Sequence, residues 1–367
     1  MKSTIRLGIV GVGQIGKAHL SAYSQIPGAE MVAAADIDAK ELKAVAAQYK
    51  IGETYSDFRQ LLARDDLDAV DVCLHNNLHA PVTIAALQSG KHVYCEKPMA
   101  GAYADAKAMA DAARRCRRKL SIQLCTIFSK EAKAAKRLIE EGRLGHVYHA
   151  RSTGFRRRGR PFVDGYGTDK FVKKQVAGGG ALYDMGVYHI AQMLYLLGLP
   201  KIERITGKVY QETDMDAGRR RSSGYSVEEL GLGFVRFAGG VTLDIIESWA
   251  IHLNAFEASS IAGSQGGIRF DPFSFHASAG DMDMDATFDV AGADWRWHQL
   301  RPVEGAYDSP QHHWIAALQG RVPLLPTAQI ALQTMLISEG IYLSDKLRRE
   351  VTAAEVATRS KSTALKL

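Results

Sequence analysis

The stretch Ile5-Arg6-Leu7-Gly8-Ile9-Val10-Gly11-Val12-Gly13-Gln14-Ile15-Gly16 sets the architecture of this chain. Its first six residues read as a buried strand, and the next six carry glycine at the first, third and sixth places. A strand that ends in such a turn and opens directly into a helix is the phosphate-binding unit of a doubly wound sheet. Gly11 permits the tight turn, Gly13 lets the backbone approach a pyrophosphate, and Gly16 lets the helix pack close to the strand. The helix start, with Gln14 and Ile15 in its first turn, offers oriented amides and a positive dipole to phosphates. Asp36 ends the next apolar run, 31–35, where its carboxylate can accept both ribose hydroxyls of NAD and would repel a 2′-phosphate. Ile37 and Asp38 follow it, with no arginine beside them, so NAD is expected over NADP even with Lys40 nearby.

Outward from this unit, strand-like runs at 31–35, 69–74, 92–95 and 120–124 alternate with helical patterns at 15–25, 39–49, 81–89 and 102–117. That alternation predicts a parallel sheet covered on both faces. A helix over 130–141 ends at Gly142, and the texture then changes. Alternating segments at 147–153, 205–211, 230–237, 241–247 and 257–262, punctuated by Gly239-Gly240 and Gly266-Gly267, predict an antiparallel sheet. Helices are expected over 181–197, 312–319 and 328–347. The fold class is therefore α/β: a doubly wound domain over 1–126, then an α+β domain over 127–367 with an open, mostly antiparallel sheet. The Ala/Ser/Thr/Lys-rich tail, 353–367, is expected to fray.

At 367 residues the chain exceeds one ordinary core, and 46% hydrophobic with 23% charged residues is a soluble, globular balance. No apolar run approaches the ~20 residues that span a bilayer, and the start lacks a signal-peptide pattern, so a cytoplasmic protein with no membrane partner is expected. The four cysteines, Cys73, Cys95, Cys116 and Cys125, have no metal-like spacing, and neither a disulfide nor a metal site is expected. The net charge of +6 gathers in runs at 114–119, 156–160 and 219–221. These are scattered and lack interleaved aromatics, so a nucleic-acid partner is not expected.

Three further segments carry chemistry. Leu74-His75-Asn76-Asn77-Leu78-His79 follows a strand at the carboxyl edge of the sheet, where ligands bind. Leu74, Asn76, Asn77 and His79 either line a cofactor cleft there, or Asn77 or His79 caps the next helix. Glu96-Lys97-Pro98 follows the 92–95 strand and brings Lys97 to the same edge. A lysine beside a cationic nicotinamide would have its pKa lowered by repulsion and burial, which suits proton transfer. Gly178-Gly179-Gly180-Ala181-Leu182-Tyr183-Asp184-Met185-Gly186-Val187-Tyr188-His189 opens a helix on which Asp184 and Tyr188 share a face. His189 is rotated about 100° from Tyr188 if the helix is regular.

Together, Gly11–Gly16, Glu96-Lys97-Pro98 and the glycine triplet followed by Asp184-x-Gly186-x-Tyr188 resemble the glucose–fructose oxidoreductase / inositol dehydrogenase (Gfo/Idh/MocA) family. The resemblance covers most of the chain, including the pattern from Pro326 to Ser344. It implies a Rossmann domain followed by an α/β domain whose open sheet makes the oligomer contact, hence a homodimer or homotetramer. It also implies NAD(P)-dependent hydride transfer at a hydroxyl or keto carbon of a sugar, glycoside or polyol. Lys97 maps onto the family's catalytic lysine, and Asp184 onto a substrate ligand. Inositol dehydrogenase-like members carry histidine where Tyr188 stands; the tyrosine resembles the glucose–fructose oxidoreductase and dimeric dihydrodiol dehydrogenase branch, where it takes the acid/base role. His189 competes for that assignment. Many relatives have an arginine in the segment that reads Cys125-Thr126-Ile127-Phe128-Ser129 here, so one family contact is absent.

The expected catalytic set is Lys97, Tyr188, Asp184 and His189, with Lys97 and Glu96 also facing the cofactor. Lys97, Arg156, Tyr166, Asp184, Tyr188 and His189 are the expected substrate contacts. The Arg156–Arg160 run reads either as a solvated loop or as a site for a carboxylate, a phosphate or sugar hydroxyls. Two rival functions stay open: a reductase of a dihydrodiol or imine on the same scaffold, and a non-enzymatic NAD(P)-dependent sugar sensor.

Overall fold

A computed structural model describes residues 2–301 and 303–367. The first sheet contains β1 (Ile5–Val10), β2 (Ala29–Ala35), β3 (Glu53–Tyr55), β4 (Ala69–Val72), β5 (His92–Cys95) and β6 (Leu120–Ile122). Its order is β3-β2-β1-β4-β5-β6, with every pair parallel. The strands β1, β4, β5 and β6 are mostly apolar and buried because helices cover both faces. Strand order reverses between β1 and β4, which opens a crevice at their carboxyl ends. β3 gives no sequence signal, being three half-polar residues, yet its Tyr55 carbonyl accepts the Asp36 N–H at 3.1 Å.

The second sheet contains β7 (Val147–Phe155), β8 (Ile202–Tyr210), β9 (Leu230–Phe237), β10 (Thr242–Ser248), β11 (Ser260–Gly263), β12 (Gly267–Phe270), β13 (Phe273–Ala279), β14 (Met282–Thr287) and β15 (Val351–Thr352). Its order is β14-β13-β12-β11-β7-β10-β9-β8-β15, and only the β7–β10 pair is parallel. That single parallel pair positions the site. Both strands end at one edge, so the residues that follow, Arg156 and Trp249, leave side by side: Arg156 N–H donates to the Ser248 carbonyl at 2.8 Å. The helix Thr327–Leu347 covers the other face, with Ile341 packed into the space that Gly207 and Gly233 leave.

Two expectations are corrected. The helix placed at 81–89 begins at Asn76, and neither Asn77 nor His79 caps it; both lie inside its first turns. Pro81 therefore sits within the helix and has no N–H for the Asn77 carbonyl. The tail fills that gap. Instead of fraying, residues Ala353–Arg359 form a helix with a Thr352/Glu355 capping box. Thr363 N–H then donates to Asp105 at 2.8 Å, and Leu365 N–H donates to the Asn77 carbonyl at 3.0 Å. Among the described residues no helix is long and apolar enough to cross a membrane, and all four cysteines are free thiols.

Candidate active site

The glycine loop meets the steric demands of its sequence. Gly11 has φ +94°, and a Cβ there would lie 2.2 Å from the Cys73 carbonyl oxygen. A Cβ on Gly16 would lie 2.1 Å from the Gly11 oxygen, whereas one on Gly13 would meet nothing within 4 Å. Gly13 is thus the point at which the backbone can be approached from outside. The helix Gln14–Tyr23 has no side-chain cap, which leaves its first-turn amides available to an anion. Asp36 is oriented beside this turn: Oδ2 accepts Val12 N–H at 2.7 Å and Oδ1 accepts Asp38 N–H at 2.9 Å. Gln14, Ile15 and Ile37 are exposed around it. This cradle fits a dinucleotide. Asp36→Ala is expected to raise the KM for NAD by roughly 10- to 100-fold, the worth of hydrogen bonds to a charged group. It should raise the KM for NADP far less; equal losses for both cofactors would exclude a ribose contact.

The loop after β4 is divided. Leu74 is half-buried, and Asn76 Nδ2 donates across to the Ala177 carbonyl of the second domain at 2.7 Å. Asn77 and His79 are buried. The His79 ring lies between two carbonyls, Pro98 at 2.8 Å from Nδ1 and Leu74 at 2.9 Å from Nε2. Burial pushes its pKa down. A neutral ring donates to one of the two, so His79 ties its helix either to the Lys97–Pro98 turn or to the loop after β4.

Lys97 reaches across the crevice. Its Nζ donates to Asp184 Oδ1 at 2.9 Å and to the Asp184 carbonyl at 3.0 Å, and it lies 4.6 Å from the centre of the Tyr188 ring. The other carboxylate oxygen of Asp184 accepts Trp249 Nε1–H at 2.9 Å and Arg156 Nη1–H at 3.4 Å. Arg156 Nη1 also donates to Tyr166 Oη at 2.5 Å, and that hydroxyl donates to the Gly159 carbonyl. Lys97, Asp184, Tyr188, Arg156 and Tyr166 therefore share one site, walled by the buried indole of Trp249, which sequence reasoning missed.

The protein's own charges act on Lys97 in the opposite sense to a nicotinamide cation. Burial alone would lower the Lys97 pKa, but the Asp184 carboxylate outweighs it and the ammonium is favoured in the protein alone. Burial likewise pushes Asp184 up, while Lys97 holds it below the usual carboxylate range. Tyr188 is pushed up to about 12 by burial, with Lys97 pulling against that shift. Lys97 meets the face of Tyr188 as a cation over a ring.

His189 and Tyr188 both lie in a regular helix, as expected. Residues Leu182–Gly186 form a π turn before the α-helix Val187–Leu196. His189 Nδ1 pairs with the fully buried Glu247 at 3.0 Å, and that carboxylate raises the histidine pKa against the lowering effect of burial. The turn is anchored by the buried Glu228, whose carboxylate accepts the N–H groups of Gly180 and Leu182 at 2.9–3.0 Å. A Cβ on Gly180 would lie 1.9 Å from the Glu228 carbonyl, so the triplet is needed for close approach.

Beneath Lys97 lies a buried network. His19 Nδ1 is 2.8 Å from Asp71 Oδ2, and Nε2 is 2.9 Å from Glu96 Oε1; Glu96 Oε2 accepts the Lys97 N–H at 2.8 Å. Cys73 Sγ adjoins both His19 and Asp71 at 3.3 and 3.4 Å. Two ionised carboxylates accept only, so an imidazolium satisfies both. Burial opposes that charge, but Asp71 prevails and the His19 pKa is raised well above its ordinary value. Such a pair stabilises fully below the unfolded histidine pKa of about 6.5 and is lost as pH rises through the folded value. The melting temperature is therefore expected to decline on the alkaline side, and His19→Asn to flatten that decline. An identical pH slope in the variant, followed by thermal denaturation, would exclude the charged pair.

Known proteins agree with this layout. Residues 5–124 match the GFO_IDH_MocA family model, an oxidoreductase family with an NAD-binding Rossmann fold, and residues 132–269 match the GFO/IDH/MocA C-terminal domain. The D-glucoside 3-dehydrogenase of Escherichia coli K12 is 30% identical over 261 residues, covering 68% of this chain and 72% of that protein. The chain belongs to the Gfo/Idh/MocA family. The levoglucosan dehydrogenase of Pseudarthrobacter phenanthrenivorans is 28% identical over 300 residues, 73% of each chain. A solved levoglucosan dehydrogenase, in complex with NADH and L-sorbose, superposes with a TM-score of 0.80 at 21% identity, covering 96% of this chain and 99% of that one. The protein is thus an NAD-dependent oxidoreductase of this family. Cys125–Phe128 forms a 3-10 turn whose Thr126 Oγ1 donates to the Tyr188 carbonyl at 2.8 Å.

Proposed function

We propose that this enzyme oxidises a hydroxyl of a sugar, glycoside or polyol to the ketone, or runs the reverse reduction. The observation that carries the reading is the Lys97–Asp184 pair, which joins the carboxyl edge of the cofactor sheet to the glycine-led helix of the second domain. NAD, when bound, supplies the hydride acceptor. Asp184, fixed by Trp249 and Lys97, is suited to hold a substrate hydroxyl and to orient Nζ. Lys97 Nζ is the atom we assign to the hydroxyl proton. Its raised pKa is opposed by the cationic ring of bound NAD, so that the neutral amine accepts the hydroxyl proton and the resulting ammonium hydrogen-bonds the oxygen left behind. Tyr188, neutral below about 12, is assigned to relay that proton, and His189 to hold a hydroxyl at the rim.

The division at 126/127 follows the same reading, with the first part binding cofactor and the second binding substrate. We also assign the open face of the nine-stranded sheet to self-association as a dimer or tetramer. Leu232, Phe234, Ile246 and Phe256 line a cavity of about 640 Å³ there, among Arg151, Lys208 and Asp244. A cytoplasmic location agrees with free thiols throughout the described chain. The direct test is NAD reduction followed across sugars, glycosides and polyols, with binding of NAD measured separately. Saturable NAD binding with no reduction by any of them would remove the sugar-dehydrogenase reading and leave an oxidoreductase of another substrate class.

A further inference from the structure

Two arginines four residues apart behave in opposite ways. Arg160 is fully buried and engages all five of its N–H groups. Nε donates to Asp164 Oδ2 at 3.0 Å, Nη1 to Glu229 Oε2 at 3.0 Å and the Thr213 carbonyl at 2.9 Å, and Nη2 to Asp164 Oδ1 at 3.2 Å and the Asp214 carbonyl at 3.0 Å. It is a structural knot with nothing left for a ligand. Arg156 bonds through Nη1 alone, to Tyr166, Gly159 and Asp184. Among the described residues its Nε and Nη2 have no partner, and its side chain is 39% exposed. One edge of the guanidinium is therefore anchored, and the edge that suits two-point recognition of an anion is free.

The charge balance points the same way. Asp184 is the one carboxylate that Lys97 and Arg156 share, and Lys97 holds it more closely, at 2.9 Å against 3.4 Å. Among the described residues Asp184 is the only carboxylate within ion-pair distance of Arg156, and Lys97 sits closer to it. The Arg160 knot fixes Asp164, two residues before Tyr166, and so holds Arg156 in place before a ligand arrives.

We infer that Arg156 selects a sugar bearing an anionic group, a carboxylate or a phosphate, held by the free edge of its guanidinium while the reacting hydroxyl meets Lys97. This rests on the proposed reading of the cleft as a sugar dehydrogenase site. It makes Arg156 a specificity residue and gives the buried ion triad in this loop a purpose beyond stability.

The test uses the full chain loaded with NADH, and compares binding of glucuronate, glucose 6-phosphate and methyl glucoside by calorimetry. At least one anion is expected to bind tenfold or more tightly than the neutral glycoside, and the tighter of the two names the group. Arg156→Gln should remove that preference. Arg156→Lys should retain part of it, because a point charge lacks the fork. Arg157→Gln, which removes the same charge from an exposed neighbour, should retain all of it. The inference is overturned if the neutral glycoside binds as tightly as both anions, if neither anion binds, or if the preference survives Arg156→Gln. NAD reduction measured on the same three compounds reports separately on the dehydrogenase reading: an intact anion preference without reduction would sink that reading and not this one.

Discussion

Lys97→Ala is expected to lower kcat by about 10²- to 10³-fold, within the range for a positioned acid–base group, while NAD still binds. The variant removes the only side chain of the first domain that hydrogen-bonds Asp184 among the described residues. It also leaves that carboxylate largely buried with only Trp249 and the more distant Arg156. A modest loss of stability should accompany the loss of turnover, and Lys97→Ala/Asp184→Asn should recover stability without recovering rate. Tyr188→Phe is expected to lower kcat by a smaller factor, on the order of tenfold to a hundredfold, because the ring that meets Lys97 survives and only the proton relay is lost. Steady-state kinetics with saturating NAD measures both. Turnover within threefold of wild type in Lys97→Ala would exclude it from the proton path.

The second large effect concerns stability. Arg160→Gln would strand Asp164 and Glu229, with side chains 6% and 1% exposed, without their counter-charge. Breaking a buried pair in this way costs about 3–5 kcal/mol, because desolvation of the surviving charge is no longer offset. The loss should be full at neutral pH and shrink in acid. Arg160 holds the Asp164 pKa below the carboxylate range against burial, so the stabilisation is present above the unfolded carboxylate pKa and lost as pH falls through the folded one. Urea unfolding monitored by fluorescence measures this directly. A change under 1 kcal/mol would show that the loop tolerates two lone buried acids and that the Arg160 knot is dispensable.

How much was legible depended on range. The Gly11–Gly16 turn could be read because its requirements are local: a positive φ at Gly11, an open position at Gly13 and contact at Gly16 all follow from one short segment. Lys97 and Asp184 were each visible as unusual residues, but their union depends on how two domains meet. The π turn at Leu182–Gly186 escaped because periodicity arguments assume 3.6 residues per turn. His189, beyond that turn, could not be given its partner, because Glu247 sits on a strand far along the chain. The β13–β14 hairpin escaped although Met282-Asp283-Met284-Asp285 alternates, because so short and acidic a run reads as a solvated turn; the strand is exposed on almost every residue. His19 was missed despite an available signal: Asp71 lies within the buried strand Ala69–Val72, and a buried acid requires a partner. The tail was read from composition, which says nothing about a carbonyl waiting elsewhere.

That carbonyl belongs to Asn77, and its hydrogen-bond donor is Leu365, near the opposite end of the chain. The first domain therefore completes its own hydrogen bonding only with residues that follow the second sheet in the chain. The segment that fills the Pro81 gap must first run the length of the second domain, so the helix beside the cofactor crevice is finished only once the fold around it is in place. Residues 353–365 thus work as a closure that fastens the two sheets' domains together.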